Sequence, residues 1–135
     1  MSIKFEGINE VMKMLESVQS EEEINQKLGK CCALIERAAK QKAPKGNGEL
    51  RRSITSKVEN LEGIVFTPLL YAPYVEYGTG LFAEEGGRQD VPWSYKDEEG
   101  NWHSTRGMKP SPFMRPALDE NREEILRILK GGITE

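Results

Sequence analysis

One histidine, two cysteines and scattered carboxylates are the chemically versatile residues of this 135-residue sequence. His103 stands beside Trp102, far along the chain from Cys31 and Cys32, so a nucleophilic triad, a histidine-metal cluster or a zinc-protease helix lacks its parts. The carboxylates gather as Glu21-Glu22-Glu23, Glu84-Glu85 and Asp97-Glu98-Glu99, each at a predicted helix start or loop tip. Helix dipoles and solvation account for acids there, and no ligand frame for a two-metal site accompanies them. Gly78, Gly80, Gly86 and Gly87 match neither a phosphate loop nor a dinucleotide fingerprint, and no Gly-Lys-Ser/Thr follows them. Cys31 and Cys32 fall inside a helical pattern and point about 100° apart around it, which suits neither a disulfide framework nor a metal clasp. They read as small buried hydrophobes, and the sequence predicts no catalytic residue, metal or cofactor.

What stands out is Tyr71-Ala-Pro-Tyr-Val-Glu-Tyr-Gly-Thr-Gly80, with three tyrosines, a proline and two glycines in ten positions. Pro73 suits the first position of a helical turn, Tyr74 and Tyr77 fall three apart on one face, and Gly78 can take the left-handed conformation that ends such a turn. Those rings either cover a small core beneath a loop or present a rigid, preset surface to a partner. Further on, Trp93 and Trp102 sit in a glycine-rich, charged segment, residues 81–106, expected to form a mobile arm. As anchors of a contact, the candidates are Tyr71, Pro73, Tyr74, Tyr77, Gly78, Trp93 and Trp102.

The elements that must carry these residues follow from periodicity. Ile8, Val11, Met12, Leu15 and Val18 are spaced for a short amphipathic helix. Ser20 and Glu23 form a capping box, behind which Ile24, Leu28, Cys31, Ile35 and Ala38 predict the strongest helix, ending near Lys42 because Pro44 disfavours an α conformation at Ala43. Ser53–Val58 alternates, residues 59–63 can turn and Ile64–Thr67 is β-rich, giving a hairpin that Pro68 ends. A second hairpin sets Trp93 and Tyr95 against Trp102 and Ser104, with Gly100-Asn101 supplying positive φ at its tip. Pro110, Pro112 and Pro116 then lead into a final helix starting near Phe113 to Arg115, lined by Ala117, Leu118, Asn121, Ile125, Ile128 and Leu129 and closed by Gly131-Gly132. The expected class is α+β: a long helix and a C-terminal helix on a small antiparallel sheet, with an extended loop or hairpin arm, residues 1–135 forming one domain.

The start has no apolar run of signal-peptide length, and no stretch approaches the roughly 20 apolar residues of a membrane span. A chain made in the cytoplasm and not associated with membrane is therefore expected. Net charge is −3, yet residues 24–57 hold nine Lys or Arg against Glu36 and Glu49, a local +7 that leaves −10 elsewhere. Such a segment can grip nucleic acid, meet the acidic face of another copy, or be a solvated helix face.

Three passages together resemble a known family. Ala38-Ala-Lys-Gln-Lys-Ala-Pro44 followed by Gly48-Glu-Leu-Arg-Arg-Ser-Ile54, then the tyrosine corner, then Pro110-Ser-Pro-Phe-Met-Arg-Pro-Ala-Leu118 occur in the order found in small neck or minor tail-component proteins of long-tailed double-stranded DNA bacteriophages and prophages, the lambdoid gene-product-ten-like group. The sequence departs from that pattern at Lys45-Gly-Asn47, where an Asp or a Ser/Thr-bearing turn is common, and in carrying the Trp93 to Trp102 hairpin, a part that varies. The resemblance implies an α+β fold, no catalysis, and a ring-forming homo-oligomer at the head-tail junction of the virion. Its implied partners are other head-tail connector and tail proteins, and DNA that passes through without sequence-specific binding. The alternative from another class is a small nucleic-acid-binding protein using the basic segment 27–57.

Overall fold

The computed structural model describes residues 1–4, 13, 19–46, 48–84 and 91–131. The amphipathic helix expected over residues 8–18 lies outside them. The chain divides into two compact units: Met1–Leu69 with Phe113–Glu135, and Leu70–Pro112. In chain order the described elements are β1 (Ser2–Lys4), α1 (Glu21–Lys42), α2 (Glu49–Ser53), β2 (Thr55–Glu59), β3 (Glu62–Phe66), α3 (Ala72–Tyr77), a 3-10 turn (Gly80–Phe82), β4 (Trp93–Lys96), β5 (Trp102–Thr105), α4 (Met114–Asp119) and α5 (Arg122–Lys130). The class is α+β, as the periodicities predict.

The first unit is built on α1. Ser20 caps it, its side-chain oxygen accepting from the Glu23 amide at 3.2 Å, and Glu21, Glu22 and Glu23 occupy the first turn, where their charge favours the helix dipole. It stops where expected: Ala43, ahead of Pro44, turns extended (φ −60°, ψ 138°). Ile24, Leu28, Cys31, Cys32 and Ile35 are buried along it, and burying each larger side chain contributes about 1.5–3 kcal/mol. The stripe ends on Ala39, with Ala38 only half-buried, because a step of four from Ile35 keeps the apolar face on the helix's 3.6-residue period.

Three antiparallel strands run in the order β1-β3-β2, with β2 and β3 lying against α1. The β2-β3 hairpin closes through Asn60 and Leu61, both at positive φ (49° and 65°), with Glu59 paired to Glu62. A two-residue loop of this kind matches the strand twist, so the turn is shorter than residues 59–63. Gly63 and Val65 are buried, whereas Ile64 and Phe66 on the alternate face are only half-buried. Two elements were not expected. Ser53 belongs to α2 rather than to a strand, its hydroxyl bonded to the Leu50 carbonyl at 2.6 Å and to Thr67 Oγ1 at 2.7 Å. Ser2–Lys4 adds a third strand, too short for any periodicity to reveal.

The C-terminal helix is two helices. Pro116 sits in the first turn and a half of α4, and the chain breaks at Glu120-Asn121, where the Asn121 side chain donates to the Ala117 carbonyl at 2.7 Å. Asparagine competes with helix continuation by such local bonding. Met114, Ala117, Ile125 and Leu129 are buried, and both helices pack on α1. Lys27 reaches the end of α5, its Nζ donating to the Leu129 carbonyl at 3.1 Å and to the Gly131 carbonyl.

Ile35, wholly buried on α1, is the most direct probe of this core. Ile35→Asp places an unpaired carboxylate there at a cost of several kcal/mol, comparable with the roughly 5–15 kcal/mol that holds a whole domain together. Circular dichroism of that variant should show an unfolded chain at 25 °C; an unshifted melting curve would contradict the packing.

Candidate assembly interface

Residues 70 to 112 form the second unit, and its architecture turns on close backbone approach. Helix α3 starts at Ala72, one residue before Pro73, and buries Ala72, Val75 and Glu76. Gly78 ends it at φ 83°, as expected in sign, but its ψ of 174° is extended rather than left-handed. The chain leaves straight because it meets its own return: Thr79 N donates to the Met108 carbonyl at 2.9 Å, Met108 N to Thr79 Oγ1 at 2.9 Å, and Leu81 N to the Arg106 carbonyl at 2.9 Å. Ser111 N closes the run on the Val75 carbonyl at 2.8 Å.

This approach leaves no room for side chains. A Cβ on Gly78 would stand 2.9 Å from the Met108 and Phe82 carbonyl oxygens, and one on Gly80 would stand 2.4 Å from the Arg106 oxygen and 2.7 Å from the Trp93 ring. Gly78 and Gly80 are therefore a clasp, not a nucleotide loop. Gly80 is not among the contact candidates that the sequence suggests, because its requirement comes from Trp93 and Arg106, 13 and 26 positions away.

Between the two sides of the clasp rises the β4-β5 hairpin, with Trp93 opposite Thr105, Tyr95 opposite His103 and Lys96 opposite Trp102. Period-two alternation puts the two tryptophans on different faces. Trp93 is half-buried against Gly80; Trp102 is 69% exposed, with Lys96 Nζ 5.9 Å from its ring centroid. Tyr95 stacks on His103 at 5.3 Å, and His103 Nε2 lies 2.7 Å from Asp97 Oδ2. That bond, with help from the Asn101 amide, holds the Asp97 carboxyl below its ordinary range. Gly100 supplies the positive φ of the tip (89°), while Asn101 is held by its amide bond to Asp97 Oδ1.

Among the described residues, all nine large hydrophobic side chains classed as exposed lie between Leu70 and Met108, from Leu70 at 91% through Tyr74 at 58% to Tyr71 and Tyr77 at 38% each. Pro73, Tyr74, Tyr77 and Gly78 line an open groove of about 440 Å³ with Ala83 and Glu84. Tyr71, Tyr74, Tyr77 and Trp102 are thus outward-facing, and Gly78 is buried beneath its neighbours.

Elsewhere the chemistry is quiet. Burial pushes the Cys31 thiol up to about 12 and Cys32 to about 11, so both stay protonated and inert. In the basic segment, Lys27 caps α5, Lys40 and Lys42 pair with Glu36 (3.8 Å) and Glu120 (2.5 Å), and Arg51 donates to the Ala43 carbonyl at 3.4 Å. Among the described residues no helix is long and apolar enough to cross a membrane.

The described residues thus form an α+β protein whose first unit buries a core and whose second unit carries exposed apolar side chains. The sequence pattern of the family described as "Bacteriophage HK97-gp10, putative tail-component" matches residues 6–78, more than half of the chain. The chain belongs to this family of phage tail components. The match takes in the Ala-Pro turn, α2 and the tyrosine corner up to Gly78; the β4-β5 hairpin and the Pro110 to Leu118 passage lie beyond it. No curated protein and no solved structure shows a significant match.

The clasp generates a paired prediction. Gly80→Ala forces a left-handed alanine into the Arg106 carbonyl, which should destabilise the second unit by at least about 1–3 kcal/mol and open residues 106–112 to limited proteolysis. Gly29, mid-helix with no atom within 4 Å of an added Cβ, is the control: Gly29→Ala should stabilise the chain by about 0.5–1 kcal/mol. Equal protease resistance of Gly80→Ala and the parent chain would contradict the clasp.

Proposed function

We propose that this chain is a structural component of the virion of a long-tailed bacteriophage or prophage, acting in head-tail joining or tail completion as one subunit of a ring, without catalysis. The observation that carries this reading is the concentration of exposed aromatic and aliphatic side chains on residues 70–108 of a protein whose other unit buries its apolar residues well. Exposed patches of that kind mark protein-protein contacts. Tyrosine and tryptophan suit a surface that is wet before assembly and buried after it, and the clasp fixes the backbone beneath them, so little entropy is lost on docking. The intramolecular engagement of Lys27, Lys40, Lys42 and Arg51 favours this reading over nucleic-acid binding through segment 27–57. DNA on this reading passes the assembly without sequence-specific contacts, and the chain works in the neck or tail beside other connector and tail proteins.

Tyr74→Ala and Trp102→Ala test it. Both side chains are exposed, so subunit stability should change by no more than about 0.5 kcal/mol, while self-association should weaken by about 2 kcal/mol or more as hot-spot side chains are lost. Melting curves, analytical ultracentrifugation and the fraction of filled heads that acquire tails in a complementation assay measure the three effects. Loss of tail joining only in proportion to loss of melting temperature would make these rings core, not contact, and overturn the assignment.

A further inference from the structure

The face of the three-stranded sheet that carries Ile64 and Phe66 has a groove of its own. Ile64 and Phe66 stand there half-buried, and with Lys57, Ser2, Met1 and Thr67 they line an open groove of about 280 Å³. Roughly 150 Å³ is enough to hold a benzene ring, so this groove has room for an indole. Among the described residues that line it, the charged groups are the Met1 amine, which donates to the Thr67 carbonyl, and Lys57, exposed on β2 with its Nζ 6.0 Å from the Phe66 ring centroid; Glu59 and Glu62, on the same face, pair at the turn end of the hairpin and do not line the groove. No carboxylate is among the described residues that line it.

The β4-β5 tip is the complement. Trp102 is exposed at the start of β5, and the turn before it carries Glu98 and Glu99, both exposed, with Asp97 engaged by His103 and Lys96 Nζ 5.9 Å from the indole centroid. An exposed aromatic ring on a hairpin whose turn carries two exposed acids complements an apolar groove bearing a lysine, in chemistry and in sign.

We infer that the occupant of the sheet groove is the hairpin tip of a second copy of this chain, Trp102 entering between Ile64 and Phe66 while Glu98 or Glu99 meets Lys57. The inference rests on the self-assembly proposed above and specifies its contact. Because the two surfaces differ, the contact is heterologous: each copy gives a hairpin to the next and receives one from the last, an arrangement that closes into a ring when the rotation permits and otherwise runs on as a filament.

Cysteine cross-linking tests it with the full chain, and the buried, protonated Cys31 and Cys32 leave the background low. Lys57→Cys and Glu98→Cys chains are prepared separately, oxidised alone and oxidised after mixing. A disulfide needs Cβ atoms roughly 3.5–4.5 Å apart, so the expected result is a covalent dimer in the mixture, neither variant alone exceeding the parent chain, and loss of that dimer when Trp102→Ala is added to the Glu98→Cys chain. No dimer in the mixture overturns the inference, as does a Lys57→Cys/Glu98→Cys double variant that closes only within one chain. Sedimentation of the same samples separates the two levels: oligomers without the cross-link leave self-assembly standing and remove this contact, whereas monomers without the cross-link remove both.

Discussion

A unit of 43 residues, Leu70 to Pro112, has too little apolar interior to hold itself together by burial, and this limit shapes the rest of the molecule. It is met by backbone. Thr79 and Leu81 bond to Met108 and Arg106 across a gap that admits only glycine at 78 and 80, and the side chains that a larger unit would turn inward are left facing out. The exposure of Tyr74 and Trp102 therefore follows from how the unit is built. A surface made this way combines a hydrogen-bonded backbone with exposed aromatic side chains, a combination that suits association when little entropy is to be lost.

The first unit solves the opposite problem. Its capped helix α1 carries a continuous apolar stripe that meets the sheet and the two C-terminal helices, so Ile24, Leu28, Cys31 and Ile35 are sealed from water. Burial there is deep enough to raise both thiols well above neutrality. Part of the positive charge on the long helix is engaged inside the subunit: Lys27 on the end of α5, Lys40 on Glu36 and Lys42 on Glu120.

Local chemistry was legible in the residues: the Ser20 cap, the stop before Pro44, the burial of adjacent cysteines, and the helical turn between Pro73 and Gly78 each depend on neighbours a few positions away. What escaped depends on distance or brevity. Nothing within Tyr71–Gly80 reveals that Arg106 and Met108 will lie over its glycines, so the clasp could not be read even though its glycines were conspicuous. Strand β1 and helix α2 are too short for a period, and the break at Asn121 is set by one side-chain bond to Ala117 inside an otherwise helical pattern. For the interface candidates, type and spacing suggested seven residues; only burial separates the outward Tyr74 and Trp102 from the half-covered Trp93 and the buried Gly78.

The central claim is that residues 70–108 are the surface this protein gives to its assembly. Amide hydrogen exchange, compared between the free chain and assembled virions, tests it most directly, since opening of exposed backbone is suppressed where a partner covers it. The account predicts slower exchange across residues 93–108 and 71–82 in the particle, with the interior of α1 unchanged. Equal exchange of those segments in the two states would contradict it.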